Sequence, residues 1–248
     1  QLSRGLGDVY KRQMLSGSDE HGTPITVTAD ETGKSPQAVV DENHDAIFAS
    51  LVELGCSWGQ TLDRRGVEFG GALYGRTSDP RHHELVQDIL LELHENGFLI
   101  QETMEQFCSV ADDGGIKFLP DRYVQGVCPA CSAEGARGDQ CDACGATYEA
   151  NELKDPVSKL NPEIPVEIRE TDHLFFRLDL LQDDLETHAA SRRSTWKPNV
   201  RAMTQNWLNM GLRPRAVTRD IEWGVKIPLD DEVWGEKRVY VWFDAVQG

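Results

Sequence analysis

Apolar residues recur at helical spacing in two early stretches. After Ser35 and Pro36, which supply an N-cap and a first-turn proline, Val40, Ile47, Leu51 and Leu54 share one face until Gly55, and the pattern predicts a helix. His44 lies on that stripe and reads as a packing residue. A second helix is predicted from Asp79 and Pro80, with Val86, Ile89, Leu90 and Leu93 on one side and Gly97 as its stop. Ahead of both, residues 14–29, MLSGSDEHGTPITVTA, pass from a short apolar start through small and acidic residues to a β-branched segment. That order predicts a strand end opening into a functional loop.

The pattern changes after Phe98. As far as about Pro165 the chain is rich in Gly, Pro, Asp and Cys, with short strand-like pieces at Lys117–Leu119 and Tyr123–Val127, as expected of an inserted module of loops and short strands. Amphipathic periodicity returns over Leu178–Ser191 and Asn199–Met210, two predicted helices. In the second, Met203, Trp207 and Met210 recur at i, i+4, i+7, a spacing that usually marks core. The last segment, RVYVWFD from Arg238 to Asp244, is predicted to be a buried strand. No internal repeat or low-complexity tract is present. Residues 1–13, QLSRGLGDVYKRQ, lack apolar periodicity and a signal-peptide core, and read as foreign or mis-joined sequence.

The module's chemistry lies in CPACSAEGARGDQCDACG. Cys128 and Cys131 form one C-x-x-C pair, Cys141 and Cys144 another, with a glycine-containing loop between them. Each pair can turn about one cation, and four thiolates complete a tetrahedral site that suits zinc and leaves no position open for substrate or water. The role is therefore structural. Two disulfides, or a redox C-x-x-C, are the alternative reading of the same residues. Cys56 and Cys108 remain as thiols, and this cysteine usage fits a reducing cytosol.

Composition narrows the class further. With 248 residues, 39% hydrophobic and 27% charged, the chain is a soluble globular type long enough for a large domain or two ordinary ones. No apolar run approaches the ~20 residues that cross a bilayer. A net charge of −17, from 42 acidic against 25 basic side chains, argues against a nucleic-acid footprint spread over the whole surface. Positive charge concentrates at Arg192, Arg193, Lys197 and Arg201, then at Arg213, Arg215 and Arg219, where a solvated helix face and an RNA-contacting one both fit.

Three stretches combine: SGSDEHGTP, FLPDRYVQGVCPAC…GDQCDACG, and TRDIEWGVKIP…YVWFDA. Together they resemble the methionyl-tRNA synthetases, a family of class I aminoacyl-tRNA synthetases, from about Met14 to Gly248. The resemblance implies an α/β fold. A Rossmann-like catalytic domain, partial here, would occupy residues 14–97 and 217–248, interrupted by a connective insertion over 98–216 with its zinc knuckle at 128–144. It also implies activation of L-methionine by ATP with Mg2+, transfer to methionine tRNA, one structural Zn2+, a cytoplasmic setting and no membrane.

The residues carry these roles as follows. Asp19 sits in a loop after a strand, where such sheets place ligand-binding groups. Its family counterpart pairs with the methionine ammonium, although a carboxylate there also caps turns. Gly22 permits close backbone approach to a ligand, and His21 donates to the bound adenylate or braces the loop. Trp242, Ala245 and Val246 match the methionine pocket, where an indole suits a thioether. Val246 stands where the family has proline, which alters the pocket's shape. Arg219 matches an arginine near the reacting phosphates, a sound place for a fixed guanidinium, and Asp220 orients it or merely pairs with it on the surface.

Departures are equally informative. A second knuckle found in some members is reduced to Cys108, with Ala111, Ser158 and Asn161 at the other three positions, so a single metal is expected. The H-x-G-H and K-M-S-K-S nucleotide signatures do not occur in this sequence, and the chain reads as an internal fragment with no pyrophosphate exchange of its own. Two other readings stay open. One is a related class I synthetase for another apolar or sulfur amino acid; the other is a non-catalytic zinc module binding RNA or protein.

Overall fold

The computed structural model describes residues 16–56, 74–110, 115–138, 140–146, 148 and 150–247. The expectation of a foreign segment at residues 1–13 lies outside these residues, as does Ala111. Strand β1 (Ser16–Ser18) leads through helices α1 (Thr23–Thr32) and α2 (Pro36–Glu53) to β2 (Tyr74–Arg76), which pairs with it in parallel, Ser16 opposite Tyr74 and Ser18 opposite Arg76. Parallel pairing across intervening helices is the crossover unit of α/β folds.

Helix α1 corrects the reading of residues 14–29 as a strand end opening into a loop, since the chain is helical from Thr23 onward. Pro24 fits the first turn, Gly33 closes the end at φ 67°, and Thr26, Val27 and Ala29 are buried. Its threonines satisfy their hydroxyls inside the helix: Thr28 Oγ1 donates to Pro24 O at 2.8 Å and Thr32 Oγ1 to Thr28 O at 2.6 Å. Helix α2 starts as expected, with Ser35 Oγ accepting from Ala38 N at 3.2 Å. Its buried residues are Val39 and Val40, whereas Ile47 and Leu54 are exposed. Helix α3 (Pro80–Glu95) follows the cap at Asp79 and buries Val86 and Leu90 completely.

Next come two strands much longer than the sequence pattern suggests. Strand β3 (Leu99–Val110) and β8 (Val166–Phe176) run antiparallel from Leu99 opposite Phe176 to Ser109 opposite Val166. Between them lie β4 (Ile116–Phe118), β5 (Val124–Val127), β6 (Ala136–Arg137) and β7 (Lys154–Ser158). Strand β4 and the later β9 (Arg215–Ala216) complete a four-stranded sheet, β4-β3-β8-β9, while β6-β5-β7 forms a three-stranded one. The expectation of short strands alone is corrected for β3 and β8. Their middles carry polar residues on both faces, so no alternation marks them.

Helices α4 (Gln182–Ser191) and α5 (Pro198–Met210) are the two expected helices and pack against each other. Core packing of its stripe is corrected: Met203, Trp207 and Met210 are 66%, 45% and 69% exposed, and Leu208 is the buried residue of α5. The chain closes through β10 (Thr218–Arg219), α6 (Asp231–Trp234), β11 (Arg238–Val239) and α7 (Val241–Ala245). The expected strand over Arg238–Asp244 is thus two residues of strand followed by helix. β10 offers only two partners, and beyond Tyr240, whose N–H donates to Val217 O at 2.8 Å, the backbone turns inward.

Two apolar cores hold these parts. One joins α3, β3 and β8 to the closing segment through Val86, Leu90, Leu99, Leu174, Val217, Val225, Ile227, Trp234 and Val239. The other fills the inserted module with Phe107, Leu119, Tyr123, Val124, Cys128, Ala136, Cys141 and Leu153, and it includes Val27 of α1. Lys159–Glu31 at 2.9 Å and Tyr123 Oη donating to Asp30 Oδ2 at 3.0 Å tie the same surfaces together. No helix among the described residues is long and apolar enough to cross a membrane.

Candidate active site and metal centre

The loop after β1 is built around a buried carboxylate. Glu20 accepts from Ser18 Oγ at 2.5 Å, from Arg76 Nε at 2.9 Å and from Ser78 Oγ, while its backbone N–H donates to Thr77 Oγ1 at 2.8 Å and its carbonyl accepts from Trp223 Nε1 at 2.7 Å. His44 is part of this anchor rather than apolar packing, its Nδ1 lying 2.7 Å from Ser18 Oγ and its ring 5.0 Å from that of Tyr74. With Glu20 turned inward, Asp19 is left partly open to solvent.

Next to it, His21 Nδ1 lies 2.8 Å from Asp244 Oδ2, both groups fully buried. Asp244 Oδ1 has no hydrogen-bond partner among the described residues. Loss of water, then the nearby Asp244 charge, raises the Asp19 carboxyl above its ordinary value. His83 Nε2 stands 3.3 Å from His21 Nε2, and Trp223 meets the same imidazole edge-on at 5.8 Å. Burial holds His82 and His83 below the usual histidine range. Gly22 sits at φ 91°, where a Cβ would come 3.1 Å from Val241 Cγ1, so this glycine lets the loop lie against α7.

Thus Asp19, His21 and Gly22 come together with α7, which carries Trp242, Ala245 and, at its C-cap, Val246. Trp242 is 66% exposed on a helix, not buried in a strand. Arg219 joins from β10: its guanidinium lies over the ring of Tyr240, the N-cap of α7, at 3.8 Å from the centroid, and Nη1 donates to Thr218 O at 2.9 Å. Asp220 neither orients Arg219 nor pairs with it. It accepts from Lys237 Nζ and lies 3.0 Å from His173 Nε2. Thr218 Oγ1 accepts from Leu174 N at 3.0 Å and stands 2.9 Å from His173 Nδ1, an arrangement that suits the Nε2–H tautomer. Burial first, against the pull of Asp220, keeps His173 below the usual range.

Sequence reasoning assigned no role to Asp244, His83, His173 or Lys237. Asp244 stood in plain view inside the W-F-D-A stretch, but its partner lies at the other end of the chain. Neither His173 nor Lys237 falls in any spacing pattern.

The four cysteines form a separate centre in the inserted module. Cys128 and Cys144 sulfurs lie 3.9 Å apart, Cys131 and Cys141 sulfurs 3.7 Å, and all four fall within 4.8 Å of one another. A tetrahedral ion with Zn–S bonds of about 2.3 Å sets its sulfurs about 3.8 Å apart, so the donor set fits a metal. The two knuckles repeat one backbone shape: Ser132 N donates to Cys128 O at 3.0 Å and Gly145 N to Cys141 O at 2.8 Å, with φ 61° and 72°. The Cys131 N–H reaches back to Cys128 Sγ at 3.5 Å and pulls that thiol down to about 7. Asn161 N makes the matching bond to Ser158 Oγ at 3.3 Å, so a knuckle-like turn persists with a hydroxyl in place of the sulfur.

The family model "tRNA synthetases class I (M)" matches residues 7–248. A methionine--tRNA ligase of Nocardioides sp. strain JS614 is 45% identical over 240 residues, 95% of this chain and 37% of the relative. That of Thermoplasma acidophilum is 44% identical over 235 residues, 94% of this chain and 39% of the relative. The chain therefore spans well under half the length of these curated relatives. Among solved structures, Mycobacterium tuberculosis methionyl-tRNA synthetase in complex with methionyl-adenylate superposes at a TM-score of 0.62 with 22% identity, over 97% of this chain and 38% of that one, a likeness of fold.

Proposed function

The chain belongs to the class I (M) tRNA synthetases, and from that membership we propose that the protein carrying it activates L-methionine with ATP and loads it onto methionine tRNA. The observation that carries this reading is the meeting of the SDEHGTP loop with the VWFDA helix through His21 and Asp244. It has a partly open carboxylate, Asp19, and an exposed indole, Trp242, on two elements joined by one buried hydrogen-bonded pair.

In this reading Asp19 takes the methionine ammonium, and Trp242, Ala245 and Val246 line the side chain. Placed there, the methionine carboxylate attacks the α-phosphorus of Mg2+-bound ATP; pyrophosphate leaves and methionyl-adenylate forms. Arg219 faces the charge that develops at phosphorus, held in place by the Tyr240 ring and by Thr218 O. His21 and Gly22 hold the adenylate, with the His21 orientation fixed by Asp244. A ribose hydroxyl of the tRNA 3′ end then takes the methionyl group and AMP leaves. Cys128, Cys131, Cys141 and Cys144 would hold one zinc ion, whose chemistry is to close the fold of the module rather than to react. Through Val27 and Tyr123 that module braces α1 behind the loop.

Pyrophosphate exchange by the complete protein tests the assignment. Exchange that depends on methionine and not on leucine or cysteine supports it; exchange driven equally by another amino acid would point to a different synthetase, and none at all to a binding module.

A further inference from the structure

Behind Arg219 lies a buried polar cluster that the chemistry above does not use. Strand β8 turns Thr171 and His173, two residues apart, to one side, and both are buried, His173 completely. Thr218 Oγ1, equally shielded from water, stands 2.9 Å from His173 Nδ1, and Asp220 Oδ2 lies 3.0 Å from Nε2. One imidazole therefore faces the residues immediately before and after Arg219, one at each ring nitrogen. Asp220 is fixed in its turn: it accepts from Lys237 Nζ and, at 3.1 Å, from Thr171 Oγ1, to which Lys237 also donates at 2.7 Å. Burial holds the ring below the usual histidine range against the pull of Asp220, so near pH 7 it is neutral, with one nitrogen to accept and one to donate.

We infer that His173 is a positioning residue for Arg219: Asp220 orients the imidazole, the imidazole fixes Thr218, and the Thr218 carbonyl holds the guanidinium. The inference rests on the adenylation reading above, in which Arg219 faces the reacting phosphate. Strand β10 is two residues long and forms a two-stranded sheet with β11, too little pairing to fix a long side chain by itself. Arg219 Nη1 donates to Thr218 O at 2.9 Å, so a peptide plane that tilts at Thr218 carries the guanidinium with it. The Thr218 hydroxyl is what prevents that tilt, since Leu174 N donates to it at 3.0 Å while His173 Nδ1 takes its proton as acceptor. Apolar side chains would fill the same space at less cost in desolvation. What the polar cluster adds is direction, which hydrogen bonds have and dispersion lacks. Direction counts here, because a misplacement of about 1 Å at a reacting centre costs roughly a hundredfold in rate.

The test is a double-mutant cycle in methionine-dependent pyrophosphate exchange by the complete protein. His173→Phe should lower kcat about a hundredfold and leave the KM for methionine within about twofold. His173→Asn, which keeps an acceptor near Thr218, should recover part of that loss. His173→Gln, which keeps a donor near Asp220 but none of the acceptor, should not, and it carries the cycle should the Phe variant fail to fold. In an Arg219→Ala background the same substitutions should change kcat by less than about twofold, because the residue they act through is gone. Losses that multiply in the double variants would assign His173 to the fold alone and overturn the inference. Recovery by Gln equal to that by Asn overturns it too, as does a rise in the KM for methionine with kcat unchanged, or an Arg219→Ala protein with wild-type kcat. Wild type without methionine-dependent exchange would defeat the functional reading and this inference together, which multiplying losses in the cycle would not.

Discussion

His21 and Asp244 stand 223 positions apart in the chain and 2.8 Å apart in the fold, both shielded from water. This pair fastens the first loop to the last helix. His21→Ala leaves a buried carboxylate unmatched and should lower stability by about 3 kcal/mol. Denaturant unfolding of the two proteins measures it; a change below about 1 kcal/mol would show that water reaches Asp244.

Gly22→Ala is expected to be more damaging than an ordinary loop substitution. It forces a side chain to φ 91° and brings Cβ within 3.1 Å of Val241, strain on the order of 1–2 kcal/mol before the loop and α7 are pushed apart. Methionine affinity should fall together with thermal stability, read by calorimetry and by a melting curve.

Acidification should loosen the fold in a defined window. His82, His83 and His173 all have folded values below the ordinary 6.5, burial being the largest cause in each. Between the folded values and 6.5 the unfolded chain binds more protons, so stability is present above pH 6.5 and is lost as pH falls below it. Asp220, held low by His173 and Lys237 against the effect of burial, adds a second loss below the ordinary carboxylate value of 3.8. Urea midpoints between pH 8 and pH 5 check the first loss. His173→Gln should flatten part of that slope.

Much of this was legible in the sequence, for local reasons. The α2 and α3 helices declare themselves through Ser35-Pro36 and Asp79-Pro80, and the knuckle through its cysteine spacing, because caps and metal ligands act over a few residues. Strand β3 hides because its polar middle lies opposite the equally polar middle of β8, and α1 because its β-branched residues favour extended chain until Pro24 and Gly33 enclose them. Asp19, His21 and Gly22 could be named from their stretch. That His21 binds Asp244, and that Asp220 answers to Lys237 and His173 rather than to Arg219, depends on contacts across long separations that no spacing records.

Cys141→Ser should release the metal. Cys141 is buried in the core shared with Val27, and structural zinc contributes about 10–16 kcal/mol of apparent binding free energy in small zinc modules at pH 7. Elemental analysis should fall from one zinc per chain to none, with protease sensitivity appearing over 115–160. Zinc retained at full stoichiometry would show that the ligand set is different.

Intrinsic fluorescence of Trp242 during a methionine titration tests the central claim most directly. Trp242 is 66% exposed in the structure, so methionine seated between Asp19 and α7 should change its emission saturably. Leucine should not, and both Asp19→Asn and Trp242→Phe should abolish the change. An identical response to leucine, or a response that survives in both variants, would contradict the assignment of this site to methionine.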